Sequence, residues 1–408
     1  MRAGTAAGRY HNINMKQGDG RIFLPELPRR ENGTVRTRQG GEFMKSYRIS
    51  PEGLEKLCAA VFAADGMDPE NAKKVAASLV EADLRGVSSH GTVRLKSYVE
   101  RSHKEHWTQN PKLSFTQTLP AVALLDGDAG FGSLVGTAAM EKAMELAKIY
   151  GVGICAVKNS SHFGMAAYYP LLAARQDMLG FACTNGMPNL APFGGREGML
   201  GTNPFSIALP AEGEEPLVLD VACSVTARGN VSNYKREGKE LPEGWCMDAD
   251  GNPTRDPAKA LKGTMLPFGG HKGSGLAVFV DMLSGILSGA AYGIHLRDGQ
   301  KEGHEGGPGV GHFFLAADLK AFGDPAEIRK RIRTALDEIR ASKPAPGFTK
   351  ILMPGDLEAG KYLYNKEHGI LMGEGSWKEI CETCEKFGLD LDPQQFVWEE
   401  TEEDFLKK

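Results

Sequence analysis

No stretch of the 408-residue chain approaches the ~18 consecutive apolar residues that a membrane span requires, and the most apolar helical segment, 275–291, is interrupted by Asp281, Ser284 and Gly285. The first twenty residues lack the apolar core of a secretory signal. These two absences predict a soluble, cytoplasmic protein with no membrane partner. Charge of one sign is also missing: 48 Lys and Arg oppose 52 Asp and Glu, a net charge of −4 that gives no basic field for nucleic acid. Cysteine is sparse and odd in number. Of seven, only Cys381 and Cys384 form a CxxC, and no second pair or histidine cluster stands at zinc-finger spacing. That disfavours a disulfide framework and a metal site, and the CxxC reads as one helical turn with two small apolar residues. What is present is ordinary globular composition, 41% hydrophobic and 25% charged, in a chain long enough for two or three domains.

Residues 1–43 are rich in Gly, Arg and Asn, show no hydrophobic period, and carry eight Arg or Lys against four acids. They read as a flexible basic extension. Met44 followed by KSYRISPEGLEKL looks like a second start, so two origins stand for the extension: an over-long start or an ordered oligomerisation arm. Residues 44–119 read as a helical domain. Leu54, Leu57, Cys58 and Val61 share one face, Val75, Leu79 and Ala82 repeat the pattern after Asp68-Pro69, and a third helix is expected from His90 to about Ser102. Over 120–318, short apolar runs at 121–125, 152–157, 179–183, 205–209, 217–221 and 312–317 alternate partly with helical stretches at 133–150 and 163–177. This predicts an α/β fold of α+β character, a mixed sheet packed by helices, holding cofactor and substrate. Residues 225–270, dense in Gly, Pro and charge, form an excursion, followed by a helix over 275–291 and a glycine-rich loop over 303–311. Residues 319–392 read as C-terminal helices with a strand near Ile351, and 393–408 as an acidic, solvated tail.

Three groups of residues can carry chemistry. His90, Arg94 and Tyr98 stand at i, i+4 and i+8, which on one helix aligns an imidazole, a guanidinium and a phenol. Arg offers a fork for a carboxylate, His exchanges protons near neutrality and Tyr donates to oxygen, yet the same spacing also describes a wet polar helix face. His162 follows an apolar run and the polar turn Lys158-Asn159-Ser160-Ser161. There Ser161 is expected to cap a helix starting at His162, whose dipole would keep the imidazole neutral; a capping histidine without chemistry fits equally. Third, Phe268-Gly269-Gly270-His271-Lys272-Gly273 precedes a helix, where successive N–H groups and Lys272 suit a phosphate, although Walker spacing is lacking. Gly130-Phe131-Gly132 through Gly136 imitates a dinucleotide fingerprint. Its third glycine is one residue late and no acid ends a second strand at the expected distance, so a Rossmann site is rejected.

Taken together, SSHGTVRLKSY, VKNSSHFGMAAYY, TNGMPNLAPFGGREGMLGTNPFSIALP, VLDVACS, LPEGWCMDADGNPTRDP, LPFGGHKGSGLAVFVDMLSGILSGA and GHFFLA resemble the type-2 malate/L-lactate dehydrogenase family, in that family's order, over residues 45–390. The resemblance implies a helical domain plus a largely antiparallel mixed-sheet domain that binds NAD or NADP without a Rossmann unit. It also implies a homodimer whose subunits share the active site. The family's active-site histidines fall on His90 and His162, its carboxylate-binding arginine on Arg94 and its tyrosine on Tyr98. Asn185, Asp220, Val221, Ala222, Ser224 and Lys272 resemble its cofactor contacts, while Met187 departs from relatives with a polar or acidic residue there.

The expected activity is hydride transfer between nicotinamide and C2 of a small 2-hydroxy or 2-oxo acid of the malate, lactate or ureidoglycolate type. Arg94 would hold the substrate carboxylate, and a histidine would move the hydroxyl proton. His162 is expected to accept that proton, and His90, its pKa raised by the carboxylate, to donate it in reduction. Reduction of a cyclic-imine carboxylate at the same site, or a silent nucleotide- or carboxylate-binding protein, are the alternatives. A chain beginning at Met44 is predicted to keep full activity and to dimerise, since residues 1–43 offer no amphipathic period for joining a core. Loss of turnover or solubility on that truncation would make the extension structural.

Overall fold

The computed structural model describes residues 45–296 and 307–401. The readings made for residues 1–43, for much of the loop over 303–311 and for 402–408 lie outside the described residues. Described residues of 44–408 belong to one compact unit, and none of their helices is long and apolar enough to cross a membrane.

The first layer comprises β1 (Ser46–Ile49), α1 (Pro51–Ala64), α2 (Pro69–Leu84) and α3 (Leu95–Lys104). Ser50 starts α1 by accepting the Gly53 N–H at 3.1 Å, with Pro51 at the first helical position, where its missing donor costs nothing. The expected faces are the buried ones: Leu54, Leu57, Cys58, Val61, Val75 and Leu79 form one core.

The sheet layer follows: β2 (Ser114–Leu119), β3 (Val122–Gly130), α4 (Gly132–Tyr150), β4 (Val152–Ser160), α5 (Tyr168–Ala174), β5 (Met178–Thr184), β6 (Phe205–Leu209) and β7 (Leu217–Val221). The excursion carries α6 (Arg228–Arg236), β8 (Cys246–Met247), β9 (Pro253–Thr254), α7 (Pro257–Ala260) and β10 (Thr264–Met265), three short strands with a core of their own. Then come α8 (His271–Asp281), β11 (Val310–Asp318), α9 (Pro325–Arg340), α10 (Asp356–His368), β12 (Ile370–Gly373), α11 (Glu374–Lys386) and β13 (Val397–Thr401). The large sheet runs β2-β3-β4-β11-β5-β6-β7. Only β3 and β4 pair in parallel, around the crossover helix α4; every other neighbour is antiparallel. This is the mixed, largely antiparallel sheet expected, and it lacks the successive parallel units of a Rossmann fold.

Several expectations are corrected. Residues 397–401 are not a free tail: β13 pairs with β1, which also pairs with β12, so the two ends of the described chain close one small sheet. No strand forms near Ile351. The helix placed over 275–291 begins four residues earlier, at His271, and passes into a π turn over Met282–Ile286 before ending. The stretch 163–177 is helical only over Tyr168–Ala174. Cys381 and Cys384 do sit one turn apart on α11, and burial pushes both thiols up to about 11, which keeps them protonated and inert.

Candidate active site

The strand registers bring the chemistry-bearing turns to one end of the large sheet. Gly130 of β3 and Val310 of β11 both pair with Ser160 at the end of β4. His312 pairs with Thr184 at the end of β5, and Phe205 pairs with both Cys183 and Val221. The segments holding His162, Asn185 and Asp220–Ser224 therefore leave the same end of the sheet, although up to 62 residues separate them in sequence.

His90, Arg94 and Tyr98 do not share one helix. Ser88–His90 and Thr92–Arg94 are two short 3₁₀ turns, Gly91 between them is extended, and α3 begins only at Leu95. The override is tertiary. Buried Asp83, on α2, accepts both the Thr92 N–H at 2.8 Å and the Thr92 hydroxyl at 2.6 Å. It lies so close to Gly91 that a Cβ there would stand 1.8 Å from Oδ1. Burial raises the Asp83 carboxyl to about 6, against the lowering effect of its bonds to Thr92.

The two side chains nonetheless converge on His162. The Tyr98 hydroxyl lies 2.8 Å from His162 Nδ1, and the His90 and His162 rings stack with centroids 5.6 Å apart, 14° from parallel. Gly164 N–H also points at Nδ1, at 3.3 Å. A backbone N–H can only donate, so Nδ1 is an acceptor, Tyr98 donates to it, and the neutral ring carries its proton on Nε2.

The helix expected at His162 is absent, because α5 starts at Tyr168. Ser161 does act at a helix end, but at that of α4: its hydroxyl accepts the Gly132 N–H at 2.9 Å and donates to Gly130 O at 3.0 Å. The glycines read as a false fingerprint serve this packing. A Cβ on Gly132 would stand 2.3 Å from Ser161 O, and one on Gly136 would stand 2.7 Å from the Tyr169 ring. His162 is held well below the ordinary histidine range, chiefly by burial and then by the neighbouring His90, with no helix dipole involved. His90 falls to about 4 through burial and then through the Arg94 guanidinium.

Arg94 donates from Nε to Ser89 O at 2.6 Å, which fixes the guanidinium while no carboxylate among the described residues pairs with it. The residues expected at the cofactor fall into two kinds. Asn185 is a staple: its amide donates to Ala291 O at 2.7 Å and its carbonyl accepts Gly311 N–H at 3.0 Å, so its side chain shapes the turn instead of reaching outward. Asp220 accepts the Ala167 N–H on Oδ2 at 2.9 Å, while Oδ1 has no partner among the described residues. The protein packed around that carboxyl raises it to about 6, although one side faces solvent. Val221 and Ala222 are half-buried beside it, and the buried Ser224 donates to Thr226 O. A bridge between Ser224 and Pro267 brings the glycine turn before α8 alongside. The amide cradle expected there is largely closed, because Gly270, Lys272, Gly273 and Ser274 N–H groups donate to carbonyls of residues 267–270. Lys272 itself is exposed.

Sequence reasoning missed His312. It is fully buried, with Nδ1 2.8 Å from Thr184 Oγ1 and Nε2 2.7 Å from Ser160 Oγ. The available signal was a histidine at an inward-facing position of the apolar run HFFLA.

A profile of the malate/L-lactate dehydrogenase family matches residues 49–381. L-sulfolactate dehydrogenase of Methanocaldococcus jannaschii is 39% identical over 84% of this chain and 98% of its own length. The crystal structure of malate dehydrogenase from Entamoeba histolytica superposes with TM-score 0.81 at 32% identity, covering 85% of this chain and 99% of that one. Delta1-piperideine-2-carboxylate reductase from Pseudomonas syringae pvar. tomato gives TM-score 0.74 at 28% identity, with 82% and 99% covered. The chain belongs to the malate/L-lactate dehydrogenase family. It is an NAD(P)-dependent dehydrogenase acting on a CH–OH group, as relatives whose names specify NAD(+) or NADP(+) also indicate.

Asp83 supplies the test of this geometry. Asp83→Ala leaves the Thr92 amide and hydroxyl without their buried acceptor, and is expected to cost about 1–3 kcal/mol in urea unfolding and to lower kcat by loosening the 88–94 turn. Wild-type stability and turnover in this variant would show that the turn holds itself.

Proposed function

We propose that the protein interconverts a small 2-hydroxy acid and its 2-oxo acid, with Arg94 as the carboxylate clamp. The supporting observation is the Arg94 guanidinium, anchored through Nε and unpaired with any described carboxylate, beside two histidines held neutral. Such a fork binds a carboxylate in two parallel hydrogen bonds and fixes the orientation of C2.

The cofactor side is carried by Asp220, Ser224 and Lys272. An acceptor oxygen without a described partner, a hydroxyl and an exposed ammonium stand on segments that the Ser224–Pro267 bridge joins, a donor and acceptor set suited to ribose hydroxyls and a diphosphate. Asn185, Val221 and Ala222 shape the wall. Bound there, nicotinamide supplies or takes the hydride. The chain's residues handle the proton.

His162 Nδ1 is occupied by two donors, so its Nε2–H suits hydrogen bonding to the substrate oxygen, which polarises C2. His90 is then the proton carrier. Its Nδ1 meets the Ser89 hydroxyl at 3.0 Å, and no described group bonds its Nε2. A substrate carboxylate on Arg94 cancels the cationic influence that depresses His90, which moves the ring toward its acid form when a 2-oxo acid binds. His162 was expected to be the acceptor; the bonds at Nδ1 favour the exchanged assignment.

A homodimer fits the surface. Val122, Ile154, Leu315, Phe181, Ile207 and Leu219 form one row across six strands on the sheet face away from α4 and α5, none of them buried. On α8 and just beyond it, Phe279 is 71% and Leu287 61% exposed. Apolar faces of this extent mark subunit contacts.

The test is a panel of pyruvate, oxaloacetate, a glyoxylate derivative and Δ1-piperideine-2-carboxylate, each with NADH and NADPH. Turnover of a 2-oxo acid is expected; exclusive turnover of the imine would transfer the site to the chemistry named for the Pseudomonas neighbour. His90→Ala and His162→Ala are each expected to lower kcat by about 10²-fold or more. Arg94→Lys is expected to act mainly on KM, since an ammonium cannot reproduce the fork. Tight NAD(P)H binding with no turnover of any carboxylate would point to a silent binding protein.

A further inference from the structure

We propose that His312 is a positioning residue for this reaction, holding the His162 ring through Phe163 and Ser160; the inference rests on the reading of His162 given above. His312 lies on the central strand β11, and its side-chain partners Ser160 and Thr184 end β4 and β5, the strands that lead into the His162 and Asn185 turns. The Thr184 hydroxyl lies 3.0 Å from both Asn185 O and Gly311 O and gives its single proton to them. Toward His312 it can therefore only accept. Nδ1 of His312 carries the proton, and Nε2 accepts from Ser160. One neutral tautomer thus ties the two strand ends together across β11. A buried imidazole with both nitrogens bonded is rigid, and burial pushes its pKa down to about 3, so it stays neutral throughout the working range.

The ring also has a face. Phe163, next to His162 in the chain, stacks on His312 with centroids 4.9 Å apart and planes 12° apart, and stacks on Tyr169 on a 4.9 Å contact at 29°. Tyr169 donates its hydroxyl to Phe163 O. Phe163 is therefore fixed by two aromatic faces and a backbone bond, and His162 inherits its backbone position from both flanks: Phe163 on one side, Ser160-Ser161 on the other. Neither Ser160 nor His312 is exposed, so neither touches substrate directly. Their effect on the reaction is geometric, and small errors in the position of a group that hydrogen-bonds the reacting oxygen are costly.

The test compares His312→Phe, which keeps the ring face but loses both nitrogens, with Ser160→Ala, which removes only the Nε2 partner. His312→Gln, which can keep one donor and one acceptor, is the conservative variant. For His312→Phe, kcat per folded molecule is expected to fall about 10-fold, with KM for the 2-oxo acid and for NAD(P)H within about twofold of wild type. The primary deuterium effect on kcat with C4-deuterated NAD(P)H is expected to increase as hydride transfer becomes slower. Ser160→Ala should move both quantities in the same direction by less, and His312→Gln should recover part of the loss. If His312→Phe does not fold, Ser160→Ala decides on the same two quantities.

Histidine-selective NMR gives a readout independent of turnover: one sharp His162 ring signal in wild type, broadened or split in Ser160→Ala or His312→Phe. Unchanged kcat with an unchanged His162 signal would overturn the inference, as would a loss confined to KM. If wild type turned over no carboxylate, or His162→Ala kept full kcat, the functional reading would fail instead. The NMR comparison would still decide whether His312 positions the ring.

Discussion

The hydrogen bond from Tyr98 to His162 Nδ1 crosses from the helical layer to the sheet, and most of the candidate site depends on it. Tyr98 is 1% exposed and packs edge-on against Trp107 and Phe131, so its hydroxyl has little freedom to choose another partner. Fixing that donor fixes the tautomer of His162, which fixes which ring nitrogen can face a substrate. Stacking of His90 on the same ring then couples the 88–94 turn to the loop after β4. Two segments 72 residues apart in the chain, at His90 and His162, become one site because one phenol and one imidazole meet.

Close approach of backbones makes that meeting possible. Gly132 and Gly91 each occupy a position where a methyl group would collide, one with the Ser161–His162 backbone and the other with the Asp83 carboxylate. Both collisions would displace a histidine of the site. The cost of burial is distributed in the same way: His90 and His162 are depressed by desolvation, and His312 is held neutral beneath them. In the proposed reaction, a site built from neutral imidazoles would keep the proton count low until a carboxylate arrived at Arg94, the moment at which a 2-oxo acid needs an acid nearby.

Much of the fold was legible in the sequence where the signal is local. The strands at Phe205–Leu209 and Leu217–Val221 and the helix at Gly132–Tyr150 follow from short apolar runs and a 3.6-residue period. The small sheet of β1, β12 and β13 was not, because four- and five-residue strands from opposite ends of the chain carry no local mark of their pairing. The candidate residues His90, Arg94, Tyr98 and His162 stand out by residue type and by family resemblance, and the fold brings His90, Tyr98 and His162 together. The reason first given for their grouping was wrong in geometry. A helical column over 90–98 is broken at Gly91 by the Asp83–Thr92 bonds, and Ser161 caps a different helix from the one its position suggests. His312 stayed hidden because a buried histidine in an apolar strand looks like core until its two hydroxyl partners, 128 and 152 residues away, are seen.

His162 is a neutral ring protonated on Nε2, held so by Tyr98 and Gly164. Nitrogen-15 NMR of histidine-labelled protein at neutral pH measures this directly. A pyridine-like Nδ1 and a protonated Nε2 are expected for His162, with Nδ1 shifting in Tyr98→Phe as it loses one of its two donors. A His162 protonated on Nδ1, or carrying both protons, would contradict this, because Tyr98 would then be the acceptor and Nε2 could not have the role assigned to it here.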